Sequence, residues 1–322
     1  MIGVGVGGTA EKAMLMAKES LMEPINIQAL IESGPVTEAE KLRIELYDKI
    51  NQMGIGAQGL GGLTTVLDVK VKDYPTHAAS LPIAIIPNCA ATRHSHFVLD
   101  GSGPAEFKPP SLSDWPEVTR HVTSNTRHIN LDALTSTDIH TWQPGDTLLL
   151  SGHLLTGRDT AHKKIAELIN NKEPLPDGLS FKGRFIYYVG PVDPVKGEIV
   201  GPAGPTTATR MDKFTDMMLG EAGLLGMIGK AERGPSAIAA IKKYRSVSLI
   251  AVGGSAYLVS KAIKSSRIVA FEELGMEAIR EFYVENMPVT VAVDSLGQSV
   301  HESGPKKWRH NISQLSIKPL LL

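Results

Sequence analysis

Two hydrophobic periods run through the chain. At residues 10–21, apolar positions (Ala13, Met14, Met16, Ala17, Leu21) mix with charged ones (Glu11, Lys12, Lys18, Glu19) at helical spacing. A glycine-rich stretch, GVGVGGT at residues 3–9, precedes them and reads as a short strand and a turn. Thr37-Glu38-Ala39-Glu40 has the form of a capping box, and Leu42, Leu46, Tyr47, Ile50 and Met53 recur behind it as one packing face. Apolar runs predict strands at residues 63–71 and 81–86, the second of them buried. Further strands are predicted at 147–150, 185–189, 227–230, 247–252 and 289–293. Helical patterns fall at 214–219, 236–244 and 259–264. Another follows Asp159, which can cap a helix whose Ile165, Leu168 and Ile169 share a face. Strands alternating with helices indicate an α/β fold.

The pattern lapses between residues 102 and 130. Gly103-Pro104 and Pro109-Pro110 break any regular period there, and the stretch reads as a linker. A length of 322 residues suits two domains, here 1–101 and 131–308, with a tail at 309–322. A net charge of −1 gives no reason to expect nucleic acid or an anionic membrane as partner, and 5% aromatic residues argue against a base-stacking platform. No apolar run approaches the roughly 18 residues of a membrane span, and the N-terminus lacks the features of a signal peptide. One cysteine excludes an internal disulfide framework and suits a reducing compartment, so the expected location is cytoplasmic.

That cysteine lies in PNCAATRHSH, residues 87–96, where Cys89 is followed by Arg93, His94 and His96. A thiol beside cations at the mouth of a strand is placed to have a depressed pKa; the competing reading is a small buried hydrophobe. His77 begins the approach to the same strand, so His77 and Cys89 would stand at opposite ends of one hairpin-sized unit. Five glycines between residues 54 and 62, with apolar residues between them, predict a tight ordered loop rather than a flexible linker. The N-terminal glycines fit neither the G-x-G-x-x-G nor the Walker spacing, and they predict close backbone approach near a site.

In the second domain three strand-end loops finish on a cation: Arg158, Arg210 and Lys230. Two of the loops are rich in Gly and Thr. Backbone amides, threonine hydroxyls and guanidinium forks at strand carboxyl ends suit a carboxylate or a phosphate. The alternative is that these are ordinary surface cations.

Taken together, GIGAQGLGG (54–62), PTHAAS (75–80), PNCAATRH (87–94), SGHLLTGRD (151–159), GPAGPTTATRMD (201–212), MIGK (227–230) and FEELGMEAI (271–279) resemble the class I, iron–sulfur-dependent fumarate hydratases. The resemblance extends to about Trp308. It implies a mixed α+β chain, a partial N-terminal fumarase α-region (1–101) followed by a fumarase β-region with a swivelling β/β/α-type domain (131–308). It implies reversible hydration of fumarate to (S)-malate, a step of the tricarboxylic acid cycle, at a [4Fe–4S] cluster held by three cysteines. Cys89 matches the last of the three, and His77 matches a histidine near the substrate. Arg158, Thr206, Thr207, Ala208, Thr209, Arg210 and Lys230 match positions that bind the dicarboxylate. Thr206 matches the residue proposed as base at C3, where it would need an aspartate from the other half of the site as partner. The family implies a homodimer.

The chain departs from the family at its start. The family's first two cluster cysteines match no residue here, as if the segment upstream of Met1 were missing. One thiolate cannot hold a cubane cluster securely. The expectation is an incomplete active site, restored by a companion chain that carries that segment. L-tartrate dehydratase, which shares the architecture and divides into two chains, is a rival within the hydro-lyases. A truncated inactive fragment or a dicarboxylate-binding scaffold is the rival from another class.

Overall fold

The computed structural model describes residues 1–89, 94, 96–104, 126–195, 197–252 and 256–314. The first domain comprises β1 (Ile2–Gly7), α1 (Ala10–Ser20), α2 (Ile27–Ser33), α3 (Glu38–Gln52), β2 (Val69–Tyr74) and β3 (Ile83–Pro87). Its sheet has the order β2-β1-β3, with β1 parallel to β2 and antiparallel to β3. Glycines alternate along β1, and that face receives α1. A Cβ on Gly5 would lie 1.9 Å from the Ala13 carbonyl oxygen, so the helix rests directly on the strand backbone. Gly3 and Gly5 thus serve close approach to a helix. On the opposite face Val4 packs with Ile27, Leu30, Tyr47, Val66 and Val69. The capping box of α3 forms as expected: Glu40 N donates to Thr37 Oγ1 (3.2 Å) and Thr37 N to Glu40 Oε2 (2.9 Å).

Three expectations for this domain are corrected. The strand expected at residues 63–71 begins only at Val69, because Asn51 Oδ1 takes the amides of Thr65 (2.7 Å) and Val66 (3.0 Å) and holds that stretch against α3. The strand leading to Cys89 is not buried: Ala84 packs against α1, but Leu81, Ile83 and Ile85 are 64%, 57% and 62% exposed. His77 precedes β3 and Cys89 follows it, but the unit between them is a single strand and no hairpin, since β3 pairs with β1 and not with β2.

The second domain runs β4 (Arg127–Asn130), α4 (Ser136–Ile139), β5 (Thr147–Thr156), α5 (Asp159–Asn170), β6 (Phe185–Tyr187), α6 (Asp212–Gly220), β7 (Gly226–Gly229), α7 (Pro235–Tyr244), β8 (Val247–Ala251), α8 (Ala256–Ala262), β9 (Ile263–Ala270), β10 (Ile279–Val293) and α9 (Val300–Gln314). Strands β4 to β8 pair in parallel in chain order, and β10 is antiparallel to β8, β9 and β5. The β5–β10 pairing closes β5-β6-β7-β8-β10 into a ring. One apolar cluster, including Leu148, Leu150, Phe185, Tyr187, Leu249 and Val291, accounts for the strand faces on one side. A second, including Ile165, Met211, Met218, Ala240 and Ile241, packs the helices onto the other. Among the described residues no helix is long and apolar enough to cross a membrane.

Helix α8 ends at Ala262, where 259–264 was expected, and the chain goes on as β9. β10 is far longer than the predicted 289–293, since Arg280, Glu281 and Glu285 interrupt its apolar period. β4 falls inside the span read as linker, and α9 runs past Trp308 into the span read as tail. Arg93, most of the linker and the tail beyond Gln314 lie outside the described residues. The ordered glycine loop at 54–62 docks on α9: His301 Nε2 lies 3.1 Å from the Gln58 carbonyl oxygen, and Gly304 abuts Leu60.

Candidate functional site

The three cationic loops meet at the carboxyl ends of β5, β6 and β7. After β6, Thr206 N donates to the Tyr188 carbonyl (2.7 Å), which brings the Thr206–Arg210 run back beside the strand it left. Lys230 N donates to Thr206 O (3.1 Å) and Ala208 N to Lys230 O (2.8 Å), so the run and the end of β7 form a short parallel bridge, Thr207 to Lys230. Thr209 Oγ1 fastens the same pair of loops by donating to Glu232 O (2.5 Å). Arg158 is the N-cap of α5, not Asp159 as expected, which is the first helical residue; Gly157 N donates to Tyr187 O (3.1 Å).

The side chains then converge. Arg210 Nη2 donates to Thr206 Oγ1 (2.5 Å) and lies 3.2 Å from Asp159 Oδ2. Arg158 Nε lies 3.7 Å from the same Asp159 oxygen and 3.3 Å from Glu277 Oε1. Gly190 makes room for this guanidinium, since a Cβ there would stand 2.7 Å from Arg158 Nη1. Lys230 is half-buried, and among the described residues no carboxylate pairs with its ammonium. Two guanidiniums around one hydroxyl, with Lys230 joined to the same loop through the backbone, make an arrangement chemically able to bind carboxylates.

Beneath it lie groups that the sequence reading missed. Arg233, 2% exposed, donates to Asp212 Oδ1 (2.7 Å), Thr215 Oγ1 (2.6 Å) and Ser248 Oγ (3.2 Å), while Gly234 N donates to Asp212 Oδ2 (2.6 Å). This satisfied buried pair ties the loop carrying Arg210 to the loop carrying Lys230. Removing one partner of such a pair costs about 3–5 kcal/mol. His162, fully buried against Tyr188 and Phe214, donates from Nδ1 to the Arg158 carbonyl (2.9 Å). Burial pushes its pKa down to about 4, so the ring is neutral at pH 7. The only sequence signal for these groups is their nearness to the cationic loops, with Asp212 and Arg233 each within three residues of one.

Every partner named above belongs to the second domain; His77 and Cys89 stand on the first. His77 is exposed, accepts from Ala79 N at Nδ1 (3.1 Å) and lines a cleft of about 750 Å³ with Gly8, Thr9, Lys12 and Tyr74. Cys89 is exposed just past β3, which removes the buried-hydrophobe reading. Asn88 beside it exchanges backbone hydrogen bonds with Met1. His94 and His96 lie ring to ring at 5.3 Å.

Residues 1–98 match the family described as fumarate hydratase (fumerase), and residues 101–304 match that described as the fumarase C-terminus. Fumarate hydratase 2 of Leishmania major is 34% identical over 279 residues, 82% of this chain and 47% of its own length. The aerobic class I fumarate hydratase of Escherichia coli K12 is 32% identical over 83% of this chain and 49% of its own. A putative L(+)-tartrate dehydratase subunit beta of Methanocaldococcus jannaschii is 33% identical over 56% of this chain and 95% of its own length. The chain spans about half the length of the fumarate hydratases cited. It belongs to the class I fumarate hydratase family.

Proposed function

We propose that this chain provides the dicarboxylate-binding part of a hydro-lyase that interconverts fumarate and (S)-malate. The observation that carries the proposal is the gathering of Arg158, Thr206, Arg210 and Lys230 at one end of the sheet ring. Fumarate is a dianion, and guanidinium forks with an unpaired ammonium suit its two carboxylates. Hydration also needs a group that moves a proton at the second carbon. The Thr206 hydroxyl accepts from Arg210, and a cation hydrogen-bonded to that oxygen favours its deprotonated form, which suits it to the base role. His77, in a cleft lined by residues of the first domain, is the second candidate for handling protons.

The family resemblance implies a [4Fe–4S] cluster, which would supply Lewis-acid chemistry for the hydroxyl. This chain's residues do not fit such a group unaided. Cys89 is the only cysteine in 322 residues, and among the described residues no three His, Cys, Asp or Glu side chains group as a metal site. Cys89 can give one thiolate; the others would come from beyond these residues, for example on a companion chain. A homodimer built on such pairs fits the family.

A tartrate dehydratase-like reading is the second choice, favoured by the Methanocaldococcus jannaschii subunit beta, 95% of whose length matches this chain. Calorimetric titration with fumarate, (S)-malate and tartrate separates the two. Malate formation from fumarate after anaerobic iron–sulfur reconstitution, with and without candidate companion chains, tests the reaction. Binding of dicarboxylates that is lost in Arg158→Ala supports the proposal. Binding without turnover under every reconstitution supports a scaffold, and no binding at all overturns the proposal.

A further inference from the structure

The segment FEELGMEAI, residues 271–279, is among the motifs that carry the family resemblance, yet it supplies none of the dicarboxylate ligands. It joins β9 to β10 through a tight turn, Glu272–Glu277, entered by Phe271 in the left-handed region (φ 56°) with Gly275 at φ 59°. Glycine adopts such a value freely, but at Phe271 it is costly and persists only where surrounding contacts enforce it. Those contacts lie on α5. Glu273 pairs with Lys164, whose ammonium also sits 5.2 Å from the centre of the Phe271 ring. Glu277 reaches the first turn of the same helix, where Thr160 N donates to its Oε2 (2.8 Å).

The other oxygen of Glu277 faces Arg158. Oε1 stands 3.3 Å from Nε, within ion-pair distance, although the buried Nε–H makes no hydrogen bond among the described residues. Nη1 lies at the other side of the guanidinium, over Gly190, and the Met276 carbonyl of this same segment borders that glycine. A carboxylate fixed at Nε leaves the terminal nitrogens to serve as the fork. We infer that Glu277 is a positioning residue that holds the Arg158 guanidinium by its Nε side so that its terminal nitrogens face the substrate carboxylate. The inference rests on the reading of Arg158 as a dicarboxylate ligand.

Glu277 differs in this from Asp159, which lies against Arg210 Nη2 and so occupies a terminal nitrogen. The distinction gives the test its sign. Removing a negative charge near a dianion site tightens binding if charge is all that matters; losing the orientation of Arg158 weakens it. The probe is succinate, titrated calorimetrically against the full chain. Glu277→Gln, which keeps an acceptor for Thr160 N but turns an amide toward Nε, is expected to weaken succinate about tenfold, the equivalent of one charge-assisted contact. Glu277→Asp keeps the charge and withdraws the carboxylate by one methylene, and is expected to weaken it in the same direction. In an Arg158→Lys background, where no fork remains to be aimed, neither change has a further effect. Unchanged or tighter binding in both Glu277 variants overturns the inference. So does an equal loss in the Arg158→Lys background, which would mark Glu277 as a clamp on α5 only. A wild-type chain that binds no dicarboxylate overturns the reading beneath it, a result distinct from a wild type that binds beside variants that bind equally.

Discussion

Arg210 Nη2 donates a hydrogen bond of 2.5 Å to the Thr206 hydroxyl oxygen. The residue read as the base is therefore contacted by a permanent cation four positions along its own loop. A threonine hydroxyl is far too weak an acid to act alone at neutral pH. A guanidinium at that oxygen stabilises the alkoxide, and it does so without a second titrating group.

Arg210→Lys separates this role from simple charge. The ammonium retains the positive charge opposite Asp159 but not the planar fork that reaches Thr206. The rate of fumarate hydration by the reconstituted enzyme is expected to fall by about 100-fold, the scale of lost acid–base assistance, with KM changed far less. A rise in KM at unchanged kcat would show that Arg210 serves binding alone.

The convergence of Arg158, Arg210 and Lys230 is legible in the sequence because each follows a short apolar strand and a glycine or threonine loop, whereas Thr206 is singled out only by the family resemblance. In an α/β domain that places them at one end of the sheet. Glu277, His162 and Arg233 are not legible in that way. Glu277 meets Arg158 only because β10 pairs with β5, a long-range pairing that no local period announces. His162 and Arg233 read as ordinary helix and loop residues until burial shows what they touch. The exposed face of β3 fails for the opposite reason: its apolar run cannot reveal that α1 covers only one of its two faces. The first half of β10 fails because charged residues, among them Glu281 paired with both Arg184 and Arg267, stand where an alternating pattern was needed.

Asp159 shares its Oδ2 between Arg158 (3.7 Å) and Arg210 (3.2 Å). It competes with a substrate carboxylate for Arg210, whose terminal nitrogen it occupies. Asp159→Asn is expected to tighten dicarboxylate binding by about fivefold, in keeping with a partly exposed ion pair, and to lessen the loss of affinity in salt. Calorimetric titration with succinate at two ionic strengths checks both effects. Weaker binding would mean that Asp159 organises the arginines rather than competing for them.

His162 makes a stability prediction with a definite sign. Its pKa falls from 6.5 to about 4 because burial opposes the charged ring, with the Arg158 carbonyl and Asp159 acting against the shift and Arg233 adding to it. The unfolded chain therefore binds more protons than the folded one between those two values. Stability from this group is complete above pH 6.5 and is lost as the pH falls toward 4, about 3 kcal/mol in all. His162→Phe keeps the ring contacts with Tyr188 and Phe214 and removes the titration; the Arg158 carbonyl still accepts from the residue 162 amide. Denaturant unfolding across this window should show the stability of wild type, taken relative to the variant, falling by about 3 kcal/mol as the pH drops from 6.5 to 4. Parallel profiles would remove His162 as its source.

The glycine loop makes the last prediction, on how the two domains hold together. Gly61 has φ +88°, and a Cβ on it would stand 2.5 Å from Trp308 Cδ1 and 2.7 Å from the Gly304 carbonyl carbon. Both neighbours belong to α9, so the clash falls on the contact between the domains. Gly178 supplies the control, because it has φ +81° with nothing within 4 Å of its Cβ position. Gly178→Ala pays only for a left-handed backbone, about 1–2 kcal/mol. Gly61→Ala meets that same cost and must also displace Trp308 or the backbone of α9, which a close-packed contact resists. Thermal unfolding should therefore show Gly61→Ala as the less stable variant. Limited proteolysis should cut within residues 54–62 or α9 in Gly61→Ala but not in Gly178→Ala. Equal destabilisation with unchanged cleavage would show that α9 does not fasten the first domain to the second. The same comparison reports on the site, because α9 follows directly on β10, the strand that carries Glu281 and Tyr283 against β5, and its release would loosen the frame that holds Arg158.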